Sequence, residues 1–319
     1  MPADGREPIV IAEKLHGLPY SKGLMAQSFM ATGLAPGKAY EVARAMEQEM
    51  RDRGELTVTL ARLRDIAAAT LEAAHGPSYA VRYRRLEEIG QLHKPLIVLI
   101  GGTTGVGKST VASEIAHRLG ITRIASTDSI REVMRGIFSK ELMPAIYESS
   151  FNAWRSLRIP VPQGADPVIV GFREQTAVVS TGVKALIDRA VVERVSTVVE
   201  GVHIVPGYIE PSQFEDAWVV QLVITVDDEE AHRSHFYIRE VQTDGNRPFE
   251  RYRENFGDIR LLGHYIEDMA KEHGTPLIHS HQLDRTVAAT LEHILSAVMV
   301  DKGAPANKPV AAKGKGAHR

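Results

Sequence analysis

The sequence predicts an α/β protein in which a parallel sheet is flanked by helices and preceded by a small, mostly helical unit. Three observations carry this. From Pro95 onward, short apolar runs alternate with helix-like segments, the grammar of a parallel sheet with helical crossovers. Leu96 to Ile100 is apolar at every position, as suits a strand buried on both faces. Before Gly76, by contrast, helical stretches end at glycines and only short β-like pieces interrupt them.

The elements follow in order. Ile9, Val10 and Ile11 suit a strand, punctuated by Gly17-Leu18-Pro19. A helix runs from Ser21 to Thr32 and stops at Gly33. Pro36-Gly37 opens a second, Lys38 to Arg53, stopped by Gly54. Leu56-Thr57-Val58 leads into a third helix that ends before Gly76-Pro77. A basic helix around Arg82 to Arg85 acts as a connector and closes at Pro95. Later strands end at Ala125, Val199, Val226 and Ile278. After Asp301 the chain is mostly Lys, Ala, Gly and Pro without periodicity, which predicts a disordered tail. The division is therefore a first unit over 8–76, a connector over 77–94, the α/β domain over 95–300 and a tail over 301–319.

Composition narrows the function. With 319 residues and 44% hydrophobic content, the chain can bury one large core and a smaller one. A net charge of −2 gives no footprint for nucleic-acid binding, so any anion site is built from local arginines. The absence of cysteine excludes disulfides and thiolate metal sites. The N-terminus lacks the order of a signal peptide, and no apolar run approaches the roughly 18 residues needed to span a bilayer. The expectation is a cytoplasmic protein without a membrane partner; self-association is left open.

Gly102-Thr103-Thr104-Gly105-Val106-Gly107-Lys108-Ser109 fits G-x-x-x-x-G-K-[ST] in full, between a predicted strand and a predicted helix. The glycines let backbone N–H groups converge on a β-phosphate, and the helix start adds its positive dipole end. Lys108 is placed to bridge β- and γ-phosphates and the Ser109 hydroxyl to bind Mg²⁺, with Thr110 completing the nucleotide-binding set. A chance glycine-rich turn is the bland alternative. The loop fixes nucleotide binding and leaves kinase and NTPase both open.

Two acids are expected at the carboxyl edge of the sheet, where ligands of open α/β sheets bind. Asp128, after the second strand of that sheet, can accept the proton of an attacking hydroxyl or hold a magnesium water. If a helix begins at Ser129, Arg131 and Arg135 lie four apart on one face. The competing reading has Ser129 and Glu132 forming a capping box that Asp128 merely decorates. Glu200 ends the strand Thr197 to Glu200, where it can orient Mg²⁺ through water or act on the acceptor hydroxyl. His203 is a candidate for touching a substrate oxyanion, although a loop histidine is commonly just solvated. Between these landmarks, Glu141 to Asp188 carries two helix-like pieces and a break at Ile159 to Pro167. Arg155, Arg158 and Arg173 are its candidate anion ligands, and each taken singly reads as a surface charge.

Beyond the strand Leu222 to Val226 comes Asp227 to Arg239, with Arg233 and Arg239, followed by Arg247, Arg251, Arg253 and Arg260. Arginines on such a segment can close over a nucleotide and neutralise transition-state charge, bidentately. A solvated helix with acid–base pairs is the alternative. His232 and His235 have metal-pair spacing but no acidic or thiol partner pattern, so a zinc site is rejected.

Taken together, Gly101 to Thr110, Thr127 to Arg135 and Glu200 to Gly207 resemble the 2-phosphoglycerate kinase family. Gly171-Phe172-Arg173-Glu174-Gln175 and His232 to Arg239 are similar as well. The resemblance covers most of Lys94 to Met299 and implies a P-loop kinase fold that uses ATP and Mg²⁺ to convert 2-phosphoglycerate to 2,3-bisphosphoglycerate. In methanogenic archaea this is a step toward a cyclic thermoprotectant; plant relatives are linked to phytic acid. The candidate catalytic residues are Lys108, Asp128, Glu200, Arg233 and Arg239, and the candidate acceptor ligands are Asp128, Arg131, Arg135, Arg173 and His203. The first unit resembles an ATP-cone, except that Glu13-Lys14-Leu15-His16 replaces the usual basic pair before Gly17. Two other readings stand beside this one: a kinase acting on another phosphorylated small molecule such as an inositol phosphate, and a nucleotide-sensing switch.

Overall fold

The computed structural model describes residues 8–12, 17–90, 94–242 and 249–302. The first unit begins with β1 (Val10–Ala12), antiparallel to β2 (Gly17–Pro19). Two helices, α1 (Lys22–Ala31) and α2 (Pro36–Asp52), precede β3 (Thr57–Thr59), which pairs parallel with β1. The Ser21 hydroxyl accepts from the Leu24 amide to cap α1. Pro36 takes the first position of α2, two residues earlier than Lys38, because its fixed φ suits a helix start and its missing N–H costs nothing there. The helix α3 (Leu60–His75) follows, and α4 (Pro77–Gly90), the expected connector, places Ala80 and Tyr83 in the first core and Ile89 in the core of the large sheet. Phe29, Met46, Met50 and Leu71 are fully buried at the centre of the first core, each worth about 1.5–3 kcal/mol of transfer free energy. Tyr83 of α4 joins that cluster, its ring 5.8 Å from Phe29. Glu13 to His16, where the resemblance to an ATP-cone departs from the usual pattern, lie outside the described residues.

The second unit opens with β4 (Leu96–Gly101), buried at every residue. It continues through α5 (Lys108–Arg118), β5 (Arg123–Ser126) and α6 (Thr127–Ile137) to two 3₁₀ turns, Pro144–Tyr147 and Ser150–Ser156. Those turns stand where the first helix-like piece of the insertion was expected. Then come α7 (Pro167–Glu193), β6 (Thr197–Glu200), β7 (Trp218–Thr225), α8 (Glu229–Gln242), α9 (Phe249–Glu254), α10 (Phe256–Glu272), β8 (Leu277–His279) and α11 (Leu283–Lys302). All five strands are parallel, ordered β5-β6-β4-β7-β8. Successive residues of β4 point to opposite faces. Leu96, Val98 and Ile100 meet Val111 and Ile115 of α5 and Leu291 of α11, while Ile97 and Leu99 meet Val179, Val183 and Ile187 of α7. Beside β7, α10 buries Ile259, Leu262 and Ile266.

Two expectations need correction. The helix α6 starts at Thr127, not Ser129, because the chain turns directly out of β5. Ser126 is left extended, and its hydroxyl accepts from the Ser129 amide at 3.1 Å. The cap is therefore Ser126, and Glu132 pairs instead with Arg135 at 2.7 Å. At the other end, α11 runs to Lys302, so the helix continues past Asp301; residues 303–319 lie outside the described set. Among the described residues, no helix is long and apolar enough to cross a membrane.

Candidate active site

From β4 the chain goes to β5 at one edge, returns to β6 between them, and only then crosses to β7. The order reverses between β4 and β6, and the crevice beyond their carboxyl ends is the place where such sheets bind ligands. Gly102 to Ser109 leave β4 here, and Glu200 ends β6 alongside, level with Ile100. Gly107 holds a left-handed conformation immediately before α5. The Ser109 hydroxyl donates to Glu200 Oε1 at 2.9 Å, and Glu200 is only 7% exposed. Lys108 is buried, and its ammonium donates to the Thr103 carbonyl at 2.6 Å. Burial lowers the Lys108 pKa, while the nearby negative charges of Glu200 and Asp128 oppose that shift. Val106 sends its side chain into the core, so only its backbone can serve a ligand. The Thr103 hydroxyl donates to the Ile259 carbonyl of α10 at 2.9 Å.

On the acceptor side, Asp128 is exposed at the start of α6, 3.2 Å from Arg131. Arg131 donates to the Glu148 carbonyl and Arg135 to that of Tyr147, so the two arginines do share a helix face, turned toward the first 3₁₀ turn. Arg135 also lies 5.0 Å from the centre of the Tyr147 ring. Arg173 sits elsewhere on α7, bonded to the Tyr208 phenol, which raises its pKa, and close to Tyr265. Arg155 covers the Trp154 ring at 5.5 Å, and Arg158 donates to the Glu141 carbonyl.

His203 is not solvated. It is fully buried, with Nδ1 3.0 Å from the Thr127 hydroxyl and Nε2 2.8 Å from Gln175 Oε1. The amide oxygen only accepts, so Nε2 carries the hydrogen and Nδ1 accepts from Thr127. The Gln175 amide nitrogen in turn donates to the carbonyls of Ala145 (2.6 Å) and Glu148 (3.0 Å). Burial, reinforced by the Arg131 and Lys108 cations against Asp128, pushes the His203 pKa down to about 3. The imidazole is thus neutral at physiological pH. With both nitrogens engaged by the protein, it ties α6, α7 and the 3₁₀ turn together rather than meeting an acceptor oxyanion.

The region after β7 meets the phosphate loop directly. His232 is fully buried, and its Nε2 lies 2.8 Å from the Thr104 carbonyl; His235 Nδ1 lies 2.9 Å from that of Gly105. A Cβ on Gly105, whose φ is +89°, would come within 2.5 Å of Phe236 Cζ, so the loop requires glycine there. Burial pushes His232 down to about 4, despite its bond to Thr104 and with help from Arg260. Arg233 packs over the Phe256 ring at 3.9 Å, and Arg260 donates to the Val226 carbonyl at 2.6 Å. Arg239 falls within α8, but its side chain lies outside the described residues, as do Arg247 and the Arg251 side chain. No cluster of three potential metal ligands occurs among the described residues.

Sequence reasoning missed the contacts of His232 and His235 with the loop, and it missed Thr127 and Gln175 as the partners of His203. The spacing of His232, His235 and Phe236 marks one helix face. What that face touches, some 130 residues earlier, has no local signature.

No protein-family model matches the chain. It is 41% identical over 284 residues, 89% of its length, to a 2-phosphoglycerate kinase of Methanothermobacter thermautotrophicus, of which 92% is covered. It is 39% identical to that of Methanopyrus kandleri, covering 91% of this chain and 88% of the other. With that of Thermococcus kodakarensis the identity is 38%, covering 89% and 95%. Among solved structures, a gluconokinase from Sinorhizobium meliloti is 16% identical with a TM-score of 0.37, covering 66% of this chain and 99% of its own. That likeness is too slight to add to the argument. A sequence kinship extending over nearly the whole of both partners is enough: this chain belongs to the 2-phosphoglycerate kinase family.

Proposed function

We propose that the protein transfers the γ-phosphoryl group of ATP to the 3-hydroxyl of 2-phosphoglycerate, giving 2,3-bisphosphoglycerate and ADP. The kinship with enzymes of that name carries the identity of the acceptor. The reaction type is supported by the crevice, where Lys108, Ser109 and Glu200 converge on the loop. A new bond forms between the acceptor oxygen and the γ-phosphorus as the bond to the β–γ bridging oxygen breaks, and ADP departs with that oxygen. Asp128 takes the hydroxyl proton. Lys108 swings from the Thr103 carbonyl to the transferring phosphates, where its charge counts most in the transition state. Arg131 and Arg135 face the acceptor's phosphate and carboxylate, and Arg233 and Arg239 close the donor side. The Ser109 hydroxyl and Glu200 carboxylate are oxygen donors 2.9 Å apart, a set that suits a hard cation such as Mg²⁺. They would hold it, Glu200 through water. Bound there, Mg²⁺ would offset charge on the β- and γ-phosphate oxygens. We place the reaction in the cytoplasm.

The test presents the purified chain and radiolabelled ATP with 2-phosphoglycerate, 3-phosphoglycerate, glycerate and inositol phosphates. Label should pass to 2-phosphoglycerate at least tenfold faster than to any other acceptor. Transfer to an inositol phosphate alone, or tight ATP binding with no transfer to any acceptor, would replace this reading with one of its rivals.

A further inference from the structure

The carbonyls of Thr104 and Gly105 are both occupied from outside the loop by histidines of one helix. A carbonyl oxygen can only accept, so each histidine donates: His232 through Nε2–H and His235 through Nδ1–H. Burial holds His232 neutral at physiological pH, so it carries a single ring hydrogen, and the contact with Thr104 places it on Nε2. The described peptides are trans, and in a planar trans peptide C=O and N–H point in opposite directions. Pulling the Thr104 and Gly105 carbonyls toward α8 therefore turns the N–H groups of Gly105 and Val106 the other way. These are two of the donors that the loop motif brings to a nucleotide's phosphates. A hydrogen bond on a carbonyl also polarises its peptide and strengthens the N–H as a donor.

We propose that His232 and His235 are positioning residues for phosphoryl transfer, holding two loop peptides from behind so that their N–H groups are aimed at the phosphates before nucleotide binds. The seat is a built one. His232 stacks on Phe236 with ring centres 5.2 Å apart, and Phe236 stacks on Tyr252 at 4.8 Å. Phe256 meets His232 edge-on at 5.4 Å, so the imidazole has little room to turn. The histidines reach the loop through the Thr104 and Gly105 carbonyls, so their effect passes through the loop backbone. The inference rests on the loop being the nucleotide site.

Paired substitutions test it. His232→Phe keeps an aromatic ring on Phe236 but removes the donor, and His232→Gln returns an N–H near the Nε2 position. His235, which is only partly buried, allows a milder pair, His235→Leu and His235→Asn, and this pair decides the matter if His232→Phe does not fold. Expected for the donor-less variants is a fall in kcat of about tenfold or more and weaker ATP binding by calorimetry. The KM for the acceptor should stay within twofold, and Gln or Asn should recover most of the loss. Full activity in folded donor-less variants, or folded Gln and Asn variants as impaired as Phe and Leu, would show that the histidines merely dock α8. A wild-type chain that binds no ATP would overturn the nucleotide reading and this inference together. Wild-type binding with unaffected variants overturns only the inference.

Discussion

At the scale of single residues, the two arginines of α6 give the sharpest test. Arg131 is mostly buried, yet it donates to the Glu148 carbonyl and pairs with Asp128, so its charge is held in place before any ligand arrives. Under the proposed reaction, a cation held this way would bind the acceptor's phosphate equally in the ground and transition states. Its loss is therefore expected chiefly in KM. Arg131→Ala should raise the acceptor KM by roughly 10–100-fold, as fits loss of a charge-assisted bond worth about 1.5–3 kcal/mol, with a smaller change in kcat. Steady-state kinetics at saturating ATP measure both, and an unchanged KM would reduce Arg131 to a pin for the 3₁₀ turn. Lys108, Ser109, Asp128 and Glu200 were legible as candidates because each stands in a motif or at a strand end, and Arg131 and Arg135 because they lie four apart on one helix. His203 was legible as a residue but not in its role. Whether a loop histidine is solvated or fully buried depends on Gln175 of α7, and no rule of spacing ties the two.

At the scale of elements, every strand of the large sheet was readable from apolar runs, most plainly β4 and β6, which are buried at every residue. The 3₁₀ turns were not, because their form is set by what packs on them. Gly171 of α7 shows this: a Cβ there would lie 2.3 Å from the Trp154 amide nitrogen. Alanine in a helix ordinarily gains up to about 1 kcal/mol over glycine. Here the obstacle is backbone, which cannot rotate away, and overpacking costs about 1–3 kcal/mol or more. The clash wins. Gly171→Ala should lower the denaturation midpoint and raise the acceptor KM, because the same turn leads from the carbonyls that Arg131, Arg135 and Gln175 hold. Gly257, near the start of α10, has nothing within 4 Å of its Cβ position. Gly257→Ala should leave the midpoint unchanged or raise it slightly. Chemical denaturation of the two variants beside the wild type compares them, and equal losses would refute the packing argument.

At the scale of the whole molecule, two fully buried neutral histidines make stability depend on pH in a definite direction. In the unfolded chain both titrate near 6.5. In the folded protein burial pushes His203 down to about 3 and His232 to about 4. Below pH 6.5 the unfolded state therefore binds protons that the native state refuses, and by linkage stability falls as pH falls. Above 6.5 both states are neutral at these positions and the two residues contribute no slope. Between about pH 6 and pH 4 each histidine contributes up to about 1.4 kcal/mol per pH unit. Both tryptophans, Trp154 and Trp218, lie in the second unit, as do the two histidines, so tryptophan fluorescence reads the unfolding of the right part. Urea midpoints should be flat from pH 8 to 7 and then drop steadily toward pH 4.5. His203→Gln and His232→Gln should each remove about one proton's worth of that slope, even if they also lower the midpoint at neutral pH. The slope separates titration from packing, because a lost contact shifts the whole curve while a lost proton site flattens it. A wild-type midpoint that holds steady to pH 4.5, or a slope that neither variant reduces, would mean that these imidazoles take up protons inside the fold as readily as in the open chain.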